Sequence, residues 1–212
     1  MKNIPCALLT GISILLKRFF APIFISLILT NCSEPKPNVN HNQNAVELNK
    51  KACELIIKDQ YDSALILLDK AIALDKNLYT TYGNKITIYC NLRDYKHALS
   101  ESQTQLKIKP DFAEGWQIQG MLYDVLGDSL KAKESYRKSI ELYDAKISDP
   151  NNVKYKDTYK FNRAISLLLS NKDIEAKKEL KELRDQNSDD KSIDEFLNMT
   201  KRDLLDTFIK GK

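Results

Sequence analysis

Residues 113–136 read Ala-Glu-Gly-Trp-Gln-Ile-Gln-Gly-Met-Leu-Tyr-Asp-Val-Leu-Gly-Asp-Ser-Leu-Lys-Ala-Lys-Glu-Ser-Tyr. Gly127-Asp128 is a turn pair, and the runs on either side carry apolar and small residues at helical spacing, which predicts two helices joined by a tight turn. The pattern returns. Ala98 lies 34 residues before Ala132, and Ala64 another 34 before that, inside Asp94-Tyr-Lys-His-Ala and Asp59-Gln-Tyr-Asp-Ser-Ala. Tyr61 and Tyr95 precede those alanines by three places, while Tyr82 and Tyr89 stand one period before Trp116 and Tyr123.

Trp116, Gly120, Tyr123, Ala132 and Tyr136, with Pro110 closing the preceding unit, resemble the tetratricopeptide repeat, a 34-residue helix–turn–helix unit. Gln119 stands where that family has Leu, and Asp144 where it has Pro. The resemblance implies an all-α fold, a right-handed α-solenoid of about four helix pairs. Repeats are expected at 45–78, 79–112, 113–146 and 157–190, and a C-terminal capping helix at 191–212. Between the third and fourth units the period slips, because Ala176 follows Ala132 by 44 residues, and Ser148-Asp-Pro-Asn-Asn-Val supplies turn formers there. An extended second helix followed by a loop is expected.

Composition agrees with helices and excludes some partners. The 212 residues hold only six glycines and six prolines. Formal charge is +4, from 33 Lys and Arg against 29 Asp and Glu. Lys2, Lys17 and Arg18 precede Cys32 while no acidic residue does, so the remainder is close to neutral and gives no argument for nucleic acid. Lys17-Arg18 is followed by the uncharged Phe19–Thr30, too short for a bilayer span and of signal-peptide length. Residues 1–31 are therefore read as a targeting segment.

Leu29-Thr30-Asn31-Cys32 resembles the lipobox of bacterial lipoproteins, with Asn31 at the place of a small residue. That resemblance implies a lipoprotein signal peptide cleaved before Cys32, acylation of Cys32, and a membrane anchor, with the mature chain in the cell envelope. Ser33 after the cysteine points to the outer membrane, facing the periplasm. The alternative is an uncleaved anchor or simple secretion with Cys32 incidental. Residues 32–44, polar and containing Pro35 and Pro37, are expected to form a flexible tether.

Two local expectations follow from positions within the repeat. Lys85 and Arg163 replace an apolar helix A residue, and Glu101 and Glu179 follow each by sixteen places on helix B, which predicts an ion pair between the helices of repeats 2 and 4. In repeat 2, Ser102 and Gln105 stand where a large apolar residue and an Ala are expected, so this helix B should pack loosely.

Catalytic and metal chemistry find no support. The two histidines, His41 and His97, lie outside any H-E-x-x-H pattern, and neither G-x-x-x-x-G-K-[ST] nor G-x-S-x-G occurs. No catalytic residue, metal site, cofactor or small-molecule substrate is expected. Cys53 and Cys90 are expected as buried thiols rather than a bridge. What the family resemblance implies instead is a concave groove, lined by the first helices, that holds a protein or peptide partner. Matching positions are Asn49, Cys53, Ile56, Thr80, Gly83, Thr87, Cys90, Glu114, Gln117, Met121, Asp124, Phe161 and Ile165. The clamp for C-terminal carboxylates in chaperone-binding members needs cations where Glu114 and Ile118 stand, so that ligand class is not expected. The reading is an envelope protein-interaction scaffold; a regulatory or accessory subunit of an envelope enzyme or uptake system, or a self-associating array, is the alternative.

Overall fold

The computed structural model describes residues 41–186 and 192–210. The targeting segment, Cys32 and most of the tether lie outside the described residues. Within them every regular element is a helix: α1 (Gln43–Ile56), α2 (Tyr61–Leu74), α3 (Tyr79–Asn91), α4 (Tyr95–Ile108), α5 (Ala113–Val125), α6 (Ser129–Ser148), a 3-10 turn (Pro150–Tyr155), α7 (Lys156–Leu169), α8 (Asp173–Gln186), α9 (Ser192–Asn198) and α10 (Lys201–Lys210). Consecutive helices pack as pairs, α1 with α2, α3 with α4, α5 with α6 and α7 with α8. This is the all-α array of tetratricopeptide-type helix pairs expected from the spacing. The chain forms two compact units that divide between Pro110 and Asp111.

One turn is used four times. Asp59, Arg93, Gly127 and Asn171 have φ of 56°, 59°, 86° and 59°, the left-handed region in which a chain leaves a helix. At each, the next residue's amide reaches back to the last helical turn, as Asp128 N donates to Tyr123 O at 2.8 Å and Asp94 N to Tyr89 O at 2.8 Å. Asp94 and Asp128 then cap the second helix by accepting from the amides of His97 and Lys131.

The helices of each pair meet through small residues. Ala64, Ala98, Ala132 and Ala176 are all fully buried. Bulk at the neighbouring contact is shared between the helices in different ways. In the third pair the Tyr136 ring lies over Gly120, where an added Cβ would come within 2.4 Å of Cε1. The first and fourth pairs place Ala52 with Leu68 and Ala164 with Leu180 at the same two positions, all fully buried. The second pair reverses the distribution, with Ile86 on the first helix and Ser102 on the second, both buried. The loose packing expected for α4 is thus corrected. Gln105 is also buried and donates from Nε2 to Tyr79 O at 3.2 Å, which satisfies the amide without a large side chain.

The two predicted ion pairs form, and each extends to a third helix. Lys85 Nζ meets Glu101 Oε1 at 2.7 Å and Asp69 Oδ1 at 3.1 Å, joining α4 and α2 to α3. Arg163 meets Glu179 Oε2 at 2.8 Å and Asp144 Oδ1 at 2.6 Å, joining α8 and α6 to α7.

Both ends depart from expectation. His41 belongs to the folded unit, with Nδ1 2.7 Å from Asp75 Oδ2, and Asn42 caps α1. Burial works against the Asp75 carboxylate, but hydrogen bonds from His41, Asn42 and Asn77 outweigh it and hold its pKa below the usual value. At the other end the single capping helix is two helices. Thr200 and Asp203 cap each other's backbone, Thr200 N donating to Asp203 Oδ2 at 2.8 Å and Asp203 N to Thr200 Oγ1 at 3.3 Å. This capping box restarts the helix after the two residues Met199 and Thr200 that follow α9. α9 packs on α8, whereas α10 turns back onto α5 and α7.

Candidate protein-binding faces

In the first unit the positions expected to line a groove close a seam instead. Asn49 and Cys53 on α1 and Thr80, Gly83 and Thr87 on α3 are all buried. Asn84 on α3 ties them together. Its Nδ2 donates to Asn49 Oδ1 at 2.7 Å and to Cys53 Sγ at 3.3 Å, and Asn49 Nδ2 donates to Thr80 Oγ1 at 3.4 Å. Thr87 Oγ1 donates to Gly83 O at 3.2 Å, within its own helix. A buried amide left without partners would cost about 1–3 kcal/mol, so this network specifies how α1 sits on α3. Nothing in the sequence marks Asn84 as central, because a polar residue on a first helix gives no sign of which neighbouring helix it will face.

Cys53 and Cys90 form no disulfide; Cys53 is buried as expected, whereas Cys90 is only partly buried. Burial pushes the Cys90 thiol up to about 12, so it stays protonated at neutral pH and is a poor nucleophile.

The second unit is different. Glu114 on α5 is buried, and Gln117 and Met121 are half-exposed. Asp124 shares their helical face but is covered. Its Oδ2 accepts from the Tyr136 hydroxyl at 2.7 Å and lies 2.7 Å from Lys201 Nζ. Lys201 also sits 5.3 Å above the centre of the Tyr136 ring. Tyr136 itself is fully buried, and desolvation, then the bond to Asp124, drives its pKa well above the ordinary phenol range, so it acts only as a donor. Phe161 on α7 is buried under Phe196 of α9, edge to face with ring centres 5.0 Å apart. Ile165, one turn further, is buried as well. The C-terminal helices therefore cover two of the expected groove residues, Asp124 and Phe161. Lys201 was not singled out in the sequence, because a pair 77 positions apart has no local signature.

Neither histidine converges with a nucleophile. His41 binds Asp75, while His97 bonds Asp94 at 2.6 Å and stacks on Tyr89 at 5.3 Å, which fastens the start of α4. Among the described residues no group of three His, Cys, Asp or Glu side chains could hold a metal ion. No helix of the described residues is long and apolar enough to cross a membrane.

Comparison with known proteins gives partial matches. No family model matches the chain. Heat shock protein sti1 homolog of Schizosaccharomyces pombe is 31% identical over 97 residues, covering 46% of this chain and 16% of that protein. The Hsp70-Hsp90 organizing protein of Triticum aestivum is 28% identical over 93 residues, 44% of this chain and 15% of its own length. Tetratricopeptide repeat protein 12 of Mus musculus is 25% identical over 95 residues, 45% of this chain and 14% of its own. The chain thus matches less than a fifth of each of these longer proteins. By helix-pair geometry and by sequence alike, it is similar to tetratricopeptide-repeat proteins.

Proposed function

We propose that this chain is a protein-interaction scaffold held in a bacterial cell envelope, on the periplasmic face of the outer membrane, by a lipid on Cys32. The observation that carries the binding half is the position of α10. An amphipathic helix rests on α5 and α7, so this face of the repeat array accommodates one. Similarity to a protein named for organizing two others, Hsp70 and Hsp90, supports an interaction role of the same kind. It does not carry over that protein's partners. The positions that need cations for carboxylate capture hold Glu114, which is buried, and Ile118. The anchor half rests on Leu29–Cys32 and the apolar run before it. More than one acyl chain would make that anchor stable, since each buried CH₂ adds about 0.8 kcal/mol.

Two measurements test this reading. Metabolic labelling with an alkyne fatty acid should tag the protein and lose the tag in Cys32→Ala, which should also leave the membrane fraction. A photo-crosslinking residue at Gln117 in cells should capture another protein, whereas one at Lys133, exposed on the other helix of the pair, should not. Labelling that survives Cys32→Ala removes the anchor, and equal capture from both positions removes the binding face.

A further inference from the structure

The last helix of the chain lies where a partner would lie. We propose that α10 is a built-in occupant of a groove formed by α5 and α7, and that the partner this groove takes is an amphipathic helix with a cation leading its apolar stripe, which displaces α10. This deepens the scaffold reading and rests on it for the existence of a partner.

Placement comes first. α10 packs on the first helices of both pairs in the second unit. Its contact has a charged end and an apolar end. Lys201 meets Asp124 at 2.7 Å, and the Tyr136 hydroxyl holds the same carboxylate oxygen from below at 2.7 Å. Tyr136 is held in place by packing, its ring fully buried against Gly120. Asp124 is therefore presented in one orientation whether or not a cation is there. Leu204, Leu205 and Phe208 follow Lys201 by three, four and seven places, so they share its face of the helix.

The helix is also poised to leave. Leu204, Leu205, Phe208 and Ile209 are all only half-buried, whereas Ile193 and Phe196 of α9 are 6% and 4% exposed. α10 begins at its own capping box, so it can lift from α5 and α7 without unwinding α9. A ten-residue helix alone in water is marginal, so a released α10 loses its helix. A partner helix with a Lys or Arg at the Lys201 place and apolar residues three, four and seven places later makes the same contacts. A longer partner would reach Gln117 as well.

The test uses the full chain and a labelled synthetic peptide with the sequence Met199 to Lys210. Peptide binding, read by fluorescence anisotropy, should be at least tenfold tighter to Leu204→Asp/Phe208→Asp, in which α10 is released, than to the native protein. A peptide carrying Lys201→Glu should lose that binding and regain it when the released protein also carries Asp124→Lys. The melting transition of the released variant should remain, since the substituted residues lie outside the buried core. If it does not, Lys201→Glu alone, which keeps the apolar stripe, should still raise amide exchange across residues 201–210 while leaving α5 protected. Equal peptide binding to native and released proteins, or none to either, overturns the proposal. A concentration-dependent dimer of the native protein that disappears in the released variant also overturns it, because the occupant is then a second copy's helix. Failure here leaves the crosslinking from Gln117 to stand or fall by itself; absence of any captured partner in cells, with peptide binding intact, sinks the scaffold reading and leaves the occupied groove.

Discussion

The two units are built from one template and close their first helices in opposite ways. In the first, amides, a hydroxyl and a thiol from Asn49, Asn84, Thr80 and Cys53 seal α1 to α3. In the second, a buried phenol and a carboxylate stand under a further helix, through Tyr136, Asp124 and Lys201. A sealed polar seam buries those side chains out of a partner's reach. A carboxylate oriented from below and covered by a half-buried helix leaves something to compete for. The repeat's geometry alone therefore does not decide which first-helix positions are sealed; the residues at a few of those positions do.

The largest expected break in this comparison is at the packing position they share. Tyr136→Ala should destabilise the second unit by about 3–5 kcal/mol, and Leu68→Ala, at the same position in the first, by about 2–5 kcal/mol, read by urea titration. Only the former should also raise amide exchange in α10, because only Tyr136 holds Asp124 toward Lys201.

Two glycine substitutions separate sterics from backbone. Gly120→Ala should cost about 1–3 kcal/mol, because Tyr136 must shift to admit the methyl group. Combined with Tyr136→Leu it should become nearly neutral, since the pair then matches Ala52 with Leu68 and Ala164 with Leu180. Additive losses in that double-mutant cycle would contradict the shared-bulk account. Gly127→Ala, where nothing lies within 4 Å of the added Cβ, should cost about 1–2 kcal/mol from its positive φ alone, whatever occupies position 136.

Asn84→Ala should cost the first unit about 1–3 kcal/mol by leaving Asn49 Oδ1 buried and unsatisfied, with no change in peptide binding to α5 and α7. A fall in that binding would mean the two units do not divide the work as described.

The smallest effects are in pH. Burial opposes the charge on Lys85, but Glu101 and Asp69 outweigh it and raise its pKa above 10.5. Its contribution to stability is present below the unfolded value and lost as pH rises through the folded one. Alkaline titration should thus weaken the first unit, and Lys85→Arg should flatten that loss, because guanidinium does not titrate there. Glu179 behaves oppositely: burial, more than Arg163 can offset, raises its pKa, so its contribution to the second unit's stability improves as pH falls through that raised value. Identical pH profiles in Lys85→Arg and the native protein would remove the Lys85 account.

Much of the fold was legible. The 34-residue step placed the helix pairs, the turn at Gly127 recurred at Asp59 and Arg93, and the sixteen-residue offset found both inter-helix ion pairs. What escaped depended on two elements at once. Ser102 looks like a packing defect until Ile86 on the partner helix is seen to carry the missing bulk. Asn49 and Thr80 occupy groove positions in the repeat, and only the placement of α1 against α3 shows them meeting, with Asn84 joining them. The C-terminal apolar period runs unbroken across Met199–Thr200, and it outweighed a local signal that was present, the capping box Thr200-Lys-Arg-Asp203.

The most direct test of the central claim, that the helix-A face of the second unit receives a helix, is a photo-crosslinker at Met121 of the full chain in cells, with the captured residues mapped. The account predicts adducts to residues 201–210 of the same chain and to a separate protein, with the second share rising when Leu204 and Phe208 are replaced by Asp. Adducts to neither, or a share that does not move when α10 is released, would contradict it.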